Sequence, residues 1–129
     1  MAQLNLHNNA LVYRPPTAYI PLIQKLKDAY KLWQEFLKHF PKTTKYTLGE
    51  KIDSSFLEAI EFVFTASYLS KQQKRPFVQR VSSKIDLLKL FLQIAWEVKS
   101  LNNKKYIALS EKLDEIGRML GGWNKQLSE

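Results

Sequence analysis

The chain contains no cysteine, so a disulfide framework and a thiolate metal site are both excluded. Four glycines and five prolines in 129 residues are too few to turn a many-stranded β fold. There are only two histidines, His7 and His39, and neither has a carboxylate or serine at a spacing that suggests a relay. No Glu-x-x-His pair exists for a metal site in a helical core, and no glycine-rich loop exists to cradle a phosphate. No run approaches the roughly 18 uncharged apolar residues that a bilayer span requires. The first residues lack the basic flank and apolar stretch of a secretory leader, so a cytoplasmic protein without membrane contact is expected. With no catalytic constellation in view, the expectation is a non-enzyme without cofactor or metal.

Helical periodicity fills most of what remains. Residues 1–18 carry no period and end in Arg14-Pro15-Pro16-Thr17, which favours an extended arm. From Tyr19 the apolar residues Ile23, Leu26, Tyr30, Trp33, Leu37 and Phe40 follow at steps of three and four, and Pro41 closes this first helix. A second helix is expected from about Thr44–Thr47, with Thr47 and Glu50 at capping-box spacing, to about Ser70. Residues 71–75 read as a polar loop, with Pro76 in the first turn of a third helix that reaches about Lys99. Asn102-Asn103 supplies the N-cap of a fourth, whose Tyr106, Leu109, Leu113, Ile116, Leu120, Trp123 and Leu127 again share a face. Four helices on short connections predict an all-α, antiparallel, up-down-up-down four-helix bundle over residues 19–127.

The polar stripes of the middle two helices are narrow. Ser54, Glu58, Glu61 and Thr65 form one; Ser82, Asp86, Lys89, Gln93 and Glu97 form the other, over about 80° of arc. The rest of both helices is largely apolar, more than a lone bundle can bury, and this predicts homo-oligomerisation through them. Gly117, Gly121 and Gly122 each cost a helix about 1 kcal/mol relative to alanine, and close approach of another backbone to Gly117 and Gly121 is the expected return. Unwinding after Leu120 is the other reading of Gly121-Gly122.

Charge is concentrated. Of the formal net charge of +8, residues 71–105 carry +7. Lys71, Lys74, Arg75, Arg80 and Lys84 fall toward one end of the expected rod; Lys99, Lys104 and Lys105 fall at the other, beside Lys42 and Lys45. Sixteen of the twenty basic residues are lysine, a point-charge phosphate binder without the fork that reads guanine edges. These ten residues are the candidate nucleic-acid-binding set, acting on the RNA or DNA backbone with little sequence preference. A purely solvating cationic surface, and an adaptor that docks an acidic protein, are the competing readings.

Two stretches carry a family resemblance. Phe40-Pro41-Lys42-Thr43-Thr44-Lys45-Tyr46-Thr47-Leu48-Gly49-Glu50-Lys51-Ile52 and Leu113-Asp114-Glu115-Ile116-Gly117-Arg118-Met119-Leu120-Gly121-Gly122-Trp123 resemble the accessory variability determinant (Avd) proteins of diversity-generating retroelements. The bundle proteins encoded in intervening sequences of bacterial 23S ribosomal RNA genes are looser relatives. The resemblance implies a basic pentameric barrel of four-helix bundles that binds nucleic acid and associates with a reverse transcriptase during mutagenic cDNA synthesis. Within the motifs, Thr47 and Glu50 are expected to cap and Leu48 and Ile52 to pack. Arg118 is expected either to pair with Asp114 or Glu115 or to point toward phosphate.

Overall fold

The computed structural model describes residues 19–129, and side chains from residue 21 onward. The expected arm, with His7, lies outside the described residues. Four long helices are present: α1 (Tyr19–Leu37), α2 (Glu50–Ala66), α3 (Lys71–Glu97) and α4 (Asn103–Ser128). There is no strand among the described residues.

Cross-helix pairs fix the direction of each neighbour. Tyr30 meets Phe56 while Trp33 meets Asp53, so α1 and α2 run antiparallel. Glu58 pairs with Lys84 while Phe62 meets Phe77, and Lys89 pairs with Asp114 while Trp96 meets Tyr106; α2 with α3, and α3 with α4, are therefore antiparallel too. Lys25–Glu115 and Lys105 over the Phe36 ring close α4 onto α1 in the same sense. The result is the expected up-down-up-down bundle.

The core follows the threes and fours of the sequence. Leu26, Trp33, Ile52, Phe56, Val63, Val81, Leu88, Leu92, Leu109, Leu113 and Ile116 are wholly buried, and burial of a large apolar side chain stabilises by about 1.5–3 kcal/mol. Trp33 stacks on Phe56 and meets Phe40 edge to face. Below this aromatic cluster, the half-buried Asp53 carboxylate accepts from Trp33 Nε1 at 3.0 Å and from Gln34 Nε2 at 2.7 Å. Glu50, one turn before it, is exposed, whereas Asp53 serves as a structural acceptor.

Several boundaries differ from expectation, each for a local reason. Residues 71–75 are the first turn of α3, because Ser70 caps that helix: its hydroxyl accepts from Gln73 N–H, and the Gln73 side chain accepts from Ser70 N–H. Pro76 is consequently the sixth residue of the helix. The Thr47–Glu50 capping box does not form. The chain is already helical from Lys42 and passes through a π-helical turn, Lys45–Gly49, so the Glu50 N–H bonds back to the Thr47 carbonyl. α1 ends at Leu37 rather than Phe40, in a tight turn where His39 and Phe40 N–H bond to residues three back. α2 ends at Ala66 rather than Ser70, closed by the Ser67 hydroxyl donating to the Phe64 carbonyl.

The glycines also revise the reading. α4 runs unbroken to Ser128, so no unwinding follows Leu120. Among the described residues no backbone approaches Gly121 or Gly122; a Cβ there meets nothing within 4 Å, and at Gly117 it meets Lys89 Nζ at 3.5 Å. The crowded glycine is Gly49, where a Cβ would lie 3.2 Å from Leu37 Cδ1 and 3.4 Å from Phe40 Cδ2. Gly49 lets the π-helical turn seat against the end of α1.

Candidate nucleic-acid interface

The bundle places nine of the ten candidate residues in two groups toward its ends, as the sequence expects; the tenth, Lys84, is the middle residue of α3 and lies between them rather than at an end. At the end where α3 begins, Lys71, Arg75 and Arg80 are exposed and meet no carboxylate among the described residues. Lys74 is half-buried on the same turn. The Arg80 guanidinium lies 5.5 Å from the Phe77 ring centroid, an arrangement that holds its plane without consuming its charge. Lys84 differs from the rest: its ammonium is paired with Glu58, and a contact to phosphate would have to compete with that carboxylate. A cavity of about 620 Å³ opens between α2 and α3 here, lined by Phe62, Pro76, Gln79, Arg80, Ser83, Lys84 and Leu87.

At the opposite end the α3–α4 turn and the segment before α2 come together. Thr44 Oγ1 and Ser100 Oγ share a hydrogen bond of 2.6 Å, which ties Lys42 and Lys45 to the neighbourhood of Lys99 and Lys104. Lys42, Lys99 and Lys104 are exposed. Lys45 and Lys105 are half-buried, lying over the rings of Tyr46 and Phe36 at 5.9 and 5.5 Å. No carboxylate pairs with any of these five lysines among the described residues. Unpaired ammonium groups on one end add their fields, and a polyanion is the partner that such a field attracts.

Lys99 sits where a glycine is usual. It occupies the left-handed region at φ 67°, with Lys99 N–H bonded to the Trp96 carbonyl and Ser100 N–H to the Ala95 carbonyl, the two bonds of a Schellman motif that closes α3. Beside it the sequence reading missed an aromatic feature. Trp96 is 39% exposed and stacks on Tyr106 with centroids 5.0 Å apart and planes 10° apart, while its Nε1 donates to Asn103 Oδ1 at 2.6 Å. The available signal was a tryptophan at the end of an apolar run, three residues before a lysine.

Arg118 corrects one expectation. Asp114 is paired with Lys89 and Glu115 with Lys25, so both carboxylates considered for it are engaged, and Arg118 is exposed without an ion pair among the described residues. His39 is exposed.

The surplus apolar surface is present and lies on two flanks. Leu57 and Phe64 are each 47% exposed on α2, along the side that turns from Asp53 and Ile60 away from α3. Leu90 is exposed in a groove between α3 and α4 that also holds Gln93, Tyr106 and Ser110. Among the described residues no helix is long and apolar enough to cross a membrane, and no three His, Asp or Glu side chains converge as a metal-binding group.

None of the curated proteins matches the chain. A family model described as bAvd-like matches residues 21–127, which takes in all but the outermost residues of the four helices and both stretches that carry the sequence resemblance. With its four-helix bundle and two basic ends, the chain belongs to the bAvd-like family.

Proposed function

We propose that this chain is a non-catalytic, cytoplasmic accessory protein of a diversity-generating retroelement. In this role it binds RNA or DNA through the phosphate backbone and partners the reverse transcriptase in mutagenic cDNA synthesis. Family membership supports the genetic setting. The observation that carries the binding reading is the pair of cationic ends, where Lys71, Arg75, Arg80, Lys42, Lys99 and Lys104 are exposed and paired with no carboxylate among the described residues. A surface kept cationic only for solubility would be served as well by scattered charges; here they converge at the two ends of a rod.

The same reading has copies of the chain assembling, as a pentameric barrel by the family resemblance. Apolar patches on two different flanks suit a head-to-tail contact, in which one flank of each copy meets the other flank of the next and the ring closes. Assembly multiplies the cationic ends and so the field.

Charge reversal tests the proposal. Arg75→Glu with Arg80→Glu, and separately Lys99→Glu with Lys104→Glu, change exposed residues and are expected to leave helicity and unfolding midpoint near those of the parent. Each pair is expected to weaken binding to an unstructured RNA by tenfold or more at low salt. Unchanged affinity in both variants would refute the phosphate role, and binding of an acidic protein instead would favour the adaptor reading.

A further inference from the structure

We infer that the shelf formed by Trp96 at the α3–α4 turn is a base-stacking site for an unpaired nucleotide, so that the protein prefers single-stranded over duplex nucleic acid. The inference rests on the phosphate-binding reading above and specifies its ligand.

The shelf is built to be flat and fixed. Tyr106 backs one face of the Trp96 indole, and Asn103 holds its N–H, so the ring plane is set before any ligand arrives. The indole needs no further polar partner, which leaves an apolar plane as its offer to a ligand. Ile107, 53% exposed, extends that apolar surface, and with Trp96, Asn103 and Tyr106 it lines a shallow pocket of about 270 Å³. A second cavity of about 560 Å³ adjoins it, lined by Trp96, Glu97, Lys99, Leu101, Asn102 and Asn103. An aromatic plane, side-chain amides beside it and lysines around it match the three parts of a nucleotide: a base face, base edges and a phosphate. A duplex keeps its base faces covered by neighbouring pairs and cannot use such a plane.

Lys99 adds an independent observation. Glycine at this left-handed position would cost the backbone less, yet the chain holds a lysine there, on the rim of the cavity. A strained cation beside an open aromatic ring has a use if it meets the phosphate of the nucleotide whose base is stacked. Tyr46, 68% exposed, lies on the connection that the Thr44–Ser100 hydrogen bond holds to the same end, and offers a further ring to a strand that crosses it.

The test uses the full chain, an oligothymidylate and a duplex of equal length, about twenty nucleotides, with binding read by anisotropy and stacking read by indole emission. Trp33 is wholly buried and Trp123 nearly so, which makes Trp96 the indole that a base can reach. Expected are quenching by the single strand but not the duplex, and loss of that quenching in Trp96→Leu. Single-strand affinity is expected to fall about tenfold in that variant with duplex affinity unchanged, and Trp96→Phe to recover most of the loss. Lys99→Gly is expected to raise thermal stability while weakening the single strand. Binding of both nucleic acids with no quenching, or with Trp96→Leu equal to wild type, overturns the stacking site alone. Failure to bind either overturns it together with the phosphate reading.

Discussion

Trp33, wholly buried, donates its indole N–H at 3.0 Å to the carboxylate of Asp53, which joins α1 to α2 through the aromatic cluster of the core. The same oxygen accepts from Gln34, and the Tyr30 hydroxyl accepts from Gln34 in turn at 2.9 Å. Removing the acceptor leaves a buried donor without a partner. Asp53→Ala is therefore expected to destabilise the bundle by about 1–3 kcal/mol, and Asp53→Asn, which retains an acceptor, by less. Urea unfolding checks both; an Asp53→Ala midpoint equal to the parent's would remove the network from the account.

Tyr30 gives that network a pH dependence. Burial first, then the nearby negative charge of Asp53 and its hydrogen bond, push the Tyr30 phenol above its usual value, against a smaller opposing effect of Gln34. The folded protein thus holds this proton more tightly than the unfolded chain does. Its contribution to stability is complete below the unfolded value of about 10 and is lost as pH rises through the folded one. Tyr30→Phe keeps the ring against Phe56 and is expected to flatten the part of the stability loss above pH ~10 that this group causes. Unfolding midpoints of the two proteins between neutral and strongly alkaline pH decide it; parallel curves would contradict the assignment.

The glycines separate by the space around them. Gly49→Val crowds Leu37 and Phe40 at the junction before α2 and is expected to cost about 1–3 kcal/mol. Gly121→Ala and Gly122→Ala meet nothing among the described residues and are each expected to stabilise α4 by about 0.5–1 kcal/mol. Thermal unfolding measures all three. Destabilisation by either alanine would show that something beyond the four helices packs against these glycines.

Leu57 and Phe64 leave a patch of α2 in contact with water that a bundle of this size does not need to expose. Wild-type protein is expected to run at several times the 15.1 kDa of one chain in light scattering at micromolar concentration. Leu57→Glu combined with Phe64→Glu is expected to lower that mass while helicity is kept. A wild-type mass of one chain would contradict assembly.

Much of this architecture was legible in the sequence, because a four-helix bundle is written in apolar spacing: Leu26, Trp33, Leu109, Leu113 and Ile116 stand in the core where the threes and fours place them. Helix ends were less legible, since capping depends on which of several hydroxyl and amide residues captures the free N–H groups. Ser70 with Gln73 does so at α3, whereas Thr47 with Glu50 is pre-empted by a π-helical turn already under way. The two basic groups followed from the charge count and the alternation of helix direction. The pairing of Lys84 with Glu58, the left-handed Lys99 and the Trp96–Tyr106 stack did not, because each depends on which neighbouring helix a side chain meets.

The salt dependence of RNA binding tests the central claim most directly. An unstructured RNA is titrated with the 129-residue chain between low and physiological ionic strength. Phosphate neutralisation by several lysines predicts a straight fall of log affinity with log salt, at a slope of about −0.7 per contacted phosphate of a single strand. The slope is expected to become shallower by one to two contacts when Lys99→Glu and Lys104→Glu are combined. Affinity independent of salt, or no binding at the lowest ionic strength, would contradict the account.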